Sequence, residues 1–161
     1  MLRKVSRRAA LGLTGGAVWV ALSGRGAMAQ AVIFDTTQVT LVTRSGRYDF
    51  ALKVADSPVK TQLGLRYQNS VPPDGGMMFA SSVNNPVVKV VTQGLMLTTD
   101  ILFISPDGRV VELHPWVQPN SADVVSTLPV AAALQLAGGT ISRIGIIFGD
   151  RVLNGMFHQS M

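Results

Sequence analysis

Asp100 stands at the head of an otherwise apolar run, Asp100-Ile101-Leu102-Phe103-Ile104, and Glu112 and His114 lie two residues apart in the run that follows. A carboxylate that begins an apolar strand is costly to bury without a partner, and Arg66 is the cation expected to pair with it. At a spacing of two, Glu112 and His114 would share one strand face, where they could converge with Asp100 or Asp107 on a metal. Asp100 and His114 could alternatively serve as acid and base. Each feature also has a plainer reading: a structural ion pair for Asp100, a solvated outward position for Glu112, a half-exposed edge position for His114. Zinc and copper sites cluster His, Cys and carboxylate ligands, yet the chain has two histidines and no cysteine. No Gly-x-Ser-x-Gly elbow surrounds any serine, and His158 lies in the tail. Gly75-Gly76 and Gly138-Gly139 lack the strand-loop-helix spacing of a phosphate or dinucleotide loop. Asp74 and Asp107 sit next to glycines, as turn formers do. Met77, Met78 and Met96 read as core packing. The residues therefore point to no catalytic group, no cofactor and no metal.

The elements that would position these groups are mostly strands. Ser105-Pro106-Asp107-Gly108 separates two β-branched runs and has the composition of a hairpin turn, and the unbroken apolar stretch 101–104 predicts a strand covered on both faces, with the hairpin central in a sheet. Tyr48, Phe50, Leu52 and Val54 alternate with Asp49, Ala51 and Lys53 and face a core; Arg44-Ser45-Gly46-Arg47 joins them to residues 39–43 in a second hairpin, with Gly46 at positive φ. Ser57 caps and Pro58 opens a short helix whose Val59 and Leu63 are expected to pack on the sheet. Residues 77–80, 87–91 and 130–136 read as strands, Gly94 as a bulge or close backbone approach, and residues 115–126 as polar and irregular. A one- to two-turn helix capped by Thr140 and a strand-like 146–148 follow.

Compartment and charge come from the N-terminus. Arg3, Lys4, Arg7 and Arg8 precede an uncharged stretch at 9–22 that is too short to span a bilayer, and Ala27-Met28-Ala29 is a small-x-small cleavage site, so residues 1–29 read as an export signal. Ser6-Arg7-Arg8-Ala9-Ala10-Leu11 resembles a twin-arginine motif; a Sec signal is the alternative. Five of the 14 basic residues and none of the nine acidic ones precede Gln30, which leaves nine of each sign in the remaining chain. A neutral domain without a basic run gives no support for nucleic-acid binding or for an anionic membrane surface. Residues 30–161 are expected to form a single domain in the periplasm or outside the cell, with 154–161 a loose tail and no stable membrane insertion.

Val54-Ala55-Asp56-Ser57-Pro58, Gly64-Leu65-Arg66, Pro73-Asp74-Gly75-Gly76-Met77-Met78-Phe79, Asp100-Ile101-Leu102-Phe103-Ile104, Asp107-Gly108-Arg109-Val110-Val111 and Gly149-Asp150-Arg151-Val152 together resemble the domain of unknown function family 192, small bacterial and archaeal proteins that are often exported. The resemblance implies a mainly β fold, a compact antiparallel β-sandwich or small barrel with one or two short helices, and no established activity. Where the family carries Trp-Met-Lys-Asn-Thr, this chain has Val91-Thr92-Gln93-Gly94-Leu95, so Gln93 and Gly94 replace the Lys-Asn pair suited to a ligand.

The functional reading is a non-enzymatic exported binding or accessory module. Its cleft would be rimmed by the 65–77 loop and the 91–100 segment, with Arg66, Gln93, Asp100 and His114 as candidate contacts and a small ligand or an envelope protein as partner. An envelope hydrolase using Asp100 and His114, and a structural domain pairing through a sheet edge, are the alternatives. Mass spectrometry of the exported protein should find Gln30 or its neighbour at the mature N-terminus; an intact precursor as the functional form would contradict the signal assignment.

Overall fold

The computed structural model describes residues 31–157 of the 161-residue chain, so the signal assignment and His158 lie outside the described residues. The fold is carried by one compact unit that begins at Ile33. Its strands are β1 (Thr36–Thr43), β2 (Gly46–Ala55), β3 (Gly75–Ala80), β4 (Lys89–Val90), β5 (Thr99–Ile104), β6 (Val110–Val117), β7 (Val124–Val125), β8 (Ala132–Ala137) and β9 (Arg151–Leu153), with helices α1 (Pro58–Leu63) and α2 (Thr140–Ile144). Seven strands in the order β6-β5-β8-β3-β2-β1-β9 make one curled sheet, a half-barrel, and β4 and β7 make a small second sheet. The fold is mainly β, as expected. One pairing is parallel, between β2 and β3, because α1 and the loop after it form the crossover that a parallel neighbour requires.

The period-two pattern of β2 gives the half-barrel its lining. Phe50 and Leu52 point inward with Val39, Leu41, Met78, Leu102, Ile104, Leu134 and Leu136, while Ala51 and Lys53 face out. Gly46, at φ +147°, closes the tight turn between β1 and β2. A second core lies on the outer face of β3, β5 and β8, where Met77, Phe79, Ile101, Phe103 and Ala133 meet Leu65, Val88, Val90 and Leu95. β5 is therefore buried along its whole length. It separates the two cores, its even-numbered side chains facing one and its odd-numbered side chains the other.

Several expectations need correction. The β5–β6 hairpin is real, but β6 ends the strand order rather than lying centrally; an isolated bridge from Arg109 to Arg151 ties its start to β9. Ser57 caps α1 and Pro58 opens it, yet Val59 is 63% exposed. Six residues are too few to bury a full stripe, and Lys60, paired with Asp56 at 3.0 Å and Asp35 at 3.4 Å, occupies the sheltered side. Residues 146–148 are not a strand: the Asp150 carboxylate accepts from the Ile147 amide at 2.9 Å and folds the segment into a turn. Met96 is exposed, unlike Met77 and Met78. Of the tail expected from 154, Asn154 bonds to Thr37 and Gln38, and Phe157 packs into the inner core.

Phe103 has no exposed surface, and truncating such an aromatic removes its burial energy and leaves a cavity. Phe103→Ala should destabilise by roughly 3–5 kcal/mol in denaturant melts, whereas Val59→Ala should change stability by about 0.5 kcal/mol or less.

Candidate functional site

Asp100 is wholly buried, and its neighbours explain why. One oxygen accepts from the Trp116 amide at 2.9 Å and the Gly139 amide at 3.1 Å; the other accepts from the Ile141 amide at 2.7 Å. Trp116 lies where the β5–β6 register shifts, at φ +56°, so the bulge turns its N–H onto the carboxylate. Gly139 and Ile141 belong to the first turn of α2, whose amides have no partner within the helix. The capping group of α2 is thus Asp100 from a distant strand. Thr140, expected as the cap, donates instead to the Ala137 carbonyl.

Among the described residues no ion pair joins Arg66 to Asp100, and the sheet supplies the reason. Asp100 is on the inner side of β5 with Leu102, whereas Arg66 follows Leu65 on the outer core. The loop carrying Arg66 starts from Gly64 and is latched by the Tyr67 amide to the Gly94 carbonyl at 3.2 Å. Gly94, at φ +79°, is anchored by Asn120, which accepts from its amide at 2.9 Å; a Cβ at 94 would lie 2.8 Å from Arg66 Nε. That is the close approach the sequence pointed to, made by a side chain. Arg66 Nε is buried and has no hydrogen-bond partner, its Nη2 is 3.4 Å from the Tyr67 hydroxyl, and the guanidinium lies 5.4 Å from the Tyr67 ring centre.

Arg66 forms part of the wall of a cleft of about 700 Å³ between α1 and the 80–91 segment. Thr61, Gln62, Ser81 and Asn85 supply polar groups there, and Lys89 and Asp123, 3.6 Å apart, stand in the same wall. Gln93 is exposed in the turn at 93–94, away from this lining. His114 is on β6, 3.3 Å from Glu112 and edge-on to the Phe103 ring at 5.6 Å between centroids. The four candidates are therefore not brought together. Asp100 and His114, in particular, are on opposite faces, because His114 is paired with Ile101. Sequence reasoning missed Lys89, Asp123 and Asn120, which lie in segments without periodicity; only Gly94 marked the place.

Glu112 is not a solvated outward residue. Its Oε1 accepts from the Thr127 amide at 2.8 Å and hydroxyl at 2.7 Å, tying the 125–128 segment across the free edge of β6. Burial pushes this carboxyl up, but the hydrogen bonds from Thr127 and His114 outweigh it and hold the pKa below the ordinary 4.5. Among the described residues no group of three or more His, Cys, Asp or Glu is placed to hold a metal ion.

The family model for DUF192, described as an uncharacterised ACR, matches residues 40–153. Two crystal structures are similar. A candidate transcription regulator from Sinorhizobium meliloti 1021 has 32% identity and a TM-score of 0.72, the match covering 79% of this chain and 99% of that one. A protein of unknown function from Novosphingobium aromaticivorans DSM 12444 has 25% identity and a TM-score of 0.69, covering 73% and 84%. No match is found among curated proteins.

A carboxyl whose folded pKa lies below its unfolded value adds stability above the unfolded pKa and loses it as the pH falls through the folded one. Glu112→Gln should therefore be less stable than the native protein at neutral pH. Thermal melts should show that gap closing as the pH drops below about 4.5.

Proposed function

Because the chain belongs to the domain of unknown function family 192, a family with no established activity, we propose that it is a non-enzymatic binding module, exported by its N-terminal signal, whose small polar ligand occupies the cleft beside Arg66. The observation that carries this reading is the buried Arg66 Nε without a hydrogen-bond partner. An unsatisfied buried donor costs about 1–3 kcal/mol, and functional sites are where such costs are retained. The volume of the cleft, about 700 Å³, falls within the usual range for small-molecule sites. Polar groups on both walls could fix the orientation of a ligand. The latch from Tyr67 to Gly94, and from Gly94 to Asn120, holds the arginine in place before any ligand arrives, which lowers the ordering cost of binding.

The hydrolase alternative finds no support in the placement of Asp100 and His114. The description of the Sinorhizobium relative as a transcription regulator candidate would require DNA contact, for which nine basic against nine acidic residues after position 29 offer little electrostatic drive. No helix among the described residues is long and apolar enough to cross a membrane.

A thermal-shift screen of polar metabolites tests the reading, since binding to the native state raises the melting temperature. At a ligand concentration of roughly 100 Kd the gain should be about 2.7 kcal/mol, and Arg66→Ala should lose the response while melting at or above the native temperature. A screen with no responding compound, or responses that survive Arg66→Ala, would contradict it.

A further inference from the structure

We infer that Arg66 and Lys53 hold the carboxylate of a short aliphatic acid in a second, smaller pocket behind the cleft, an inference that rests on the binding-module reading above. This pocket has a volume of about 190 Å³ and lies between the loop carrying Arg66 and the outer face of β2 and β3. Lys53 and Arg66 are its charged lining residues, and no carboxylate lines it. Neither cation has an ion-pair partner among the described residues. The larger cleft differs, because its lining includes two carboxylates, Asp123, paired with Lys89, and Asp56, paired with Lys60. The excess positive potential belongs to the small pocket, where apolar walls concentrate it.

The placing of both cations follows from the fold. Lys53 alternates with the inward Leu52 on β2 and so projects from the outer face, opposite Met77 in the parallel register. Arg66 enters from the loop that crosses over that face. A guanidinium presents N–H groups side by side, the geometry that matches both oxygens of a carboxylate, and the Nη2 of Arg66 lies 3.4 Å from the Tyr67 hydroxyl, Tyr67 being another lining residue of this pocket. Lys53 adds a mobile point charge, and the Tyr67 side chain forms part of the same wall.

The rest of the lining selects among anions. Phe34, Leu63 and Met77 offer an apolar floor, which a bare inorganic anion would leave uncovered. With about 30 Å³ per water in the liquid, the volume corresponds to roughly six waters. That is room for a carboxylate bearing a chain of about three or four carbons by the same measure.

Calorimetric titration of the purified protein with butyrate, butyramide and inorganic phosphate tests the assignment. Butyrate should bind saturably, and butyramide and phosphate about tenfold more weakly or less, the loss expected when a charge-assisted bidentate pair or an apolar contact is missing. Lys53→Gln, at an exposed position, should weaken butyrate severalfold without lowering the melting temperature; Arg66→Gln should weaken it about tenfold or more. Lys89→Gln, in the larger cleft, should leave it unchanged. No butyrate binding, equal binding of butyramide, tighter binding of phosphate, or full affinity in Lys53→Gln would each overturn the inference. A screened compound that loses affinity in Lys89→Gln and keeps it in Lys53→Gln would leave the cleft reading standing while overturning this pocket, so the two fail separately.

Discussion

The carboxylate of Asp100 is the constraint on which the arrangement depends. It is fully buried and accepts three backbone amides from two segments remote in sequence, the β6 bulge and the first turn of α2. Hydrogen bonds to a charged group contribute about 1.5–3 kcal/mol each, and here they also satisfy donors that a bulge and a helix start leave without ladder or intrahelical partners. A carboxylate in this position at once fixes the end of β6, the exit from β8 and the seating of α2 over the inner core. Replacement by an apolar residue would remove the acceptor of three part-buried N–H groups at once.

Asp100 faces inward and is satisfied there, so on the outer side of the same strands, beyond the second core, Arg66 is left without it. There the protein does the reverse: it holds a cation, Arg66, next to a glycine and a latched loop and leaves its Nε unbonded. The buried carboxylate is fully satisfied, whereas the half-buried guanidinium keeps one buried nitrogen unbonded and lines open volume. On the proposed reading the first is a structural site and the second a binding site, and β5, with a core on each side, lies between them.

Much of this was readable from the chain. The apolar run at 101–104, the turn at 105–108, the alternation from Tyr48 to Val54, and the Ser57-Pro58 helix start are local signals, and local signals survive folding when tertiary contacts agree with them. Other features depend on partners far along the chain. Asp100 was expected to need a cation because the sequence shows cations but not which amides a bulge and a helix start will leave unpaired. Val59 and Leu63 obeyed helical spacing, yet in a six-residue helix the sheltered side went to Lys60, which finds two carboxylates. The strand-like 146–148 segment was decided by Asp150, one side chain closing a turn. Around the cleft the tight place at Gly94 was legible, whereas Lys53 read only as the polar half of a strand pattern, and Gln93 is not among the residues that line the cleft.

Amide hydrogen exchange at Trp116, Gly139 and Ile141, compared between the native protein and Asp100→Asn, tests the account most directly. Asparagine keeps the shape and removes the charge and one acceptor. The account predicts that all three amides are strongly protected in the native protein and that they lose protection together in Asp100→Asn, by roughly tenfold or more, while the β2–β3 amides change far less. Equal protection of the three amides in both proteins would contradict it.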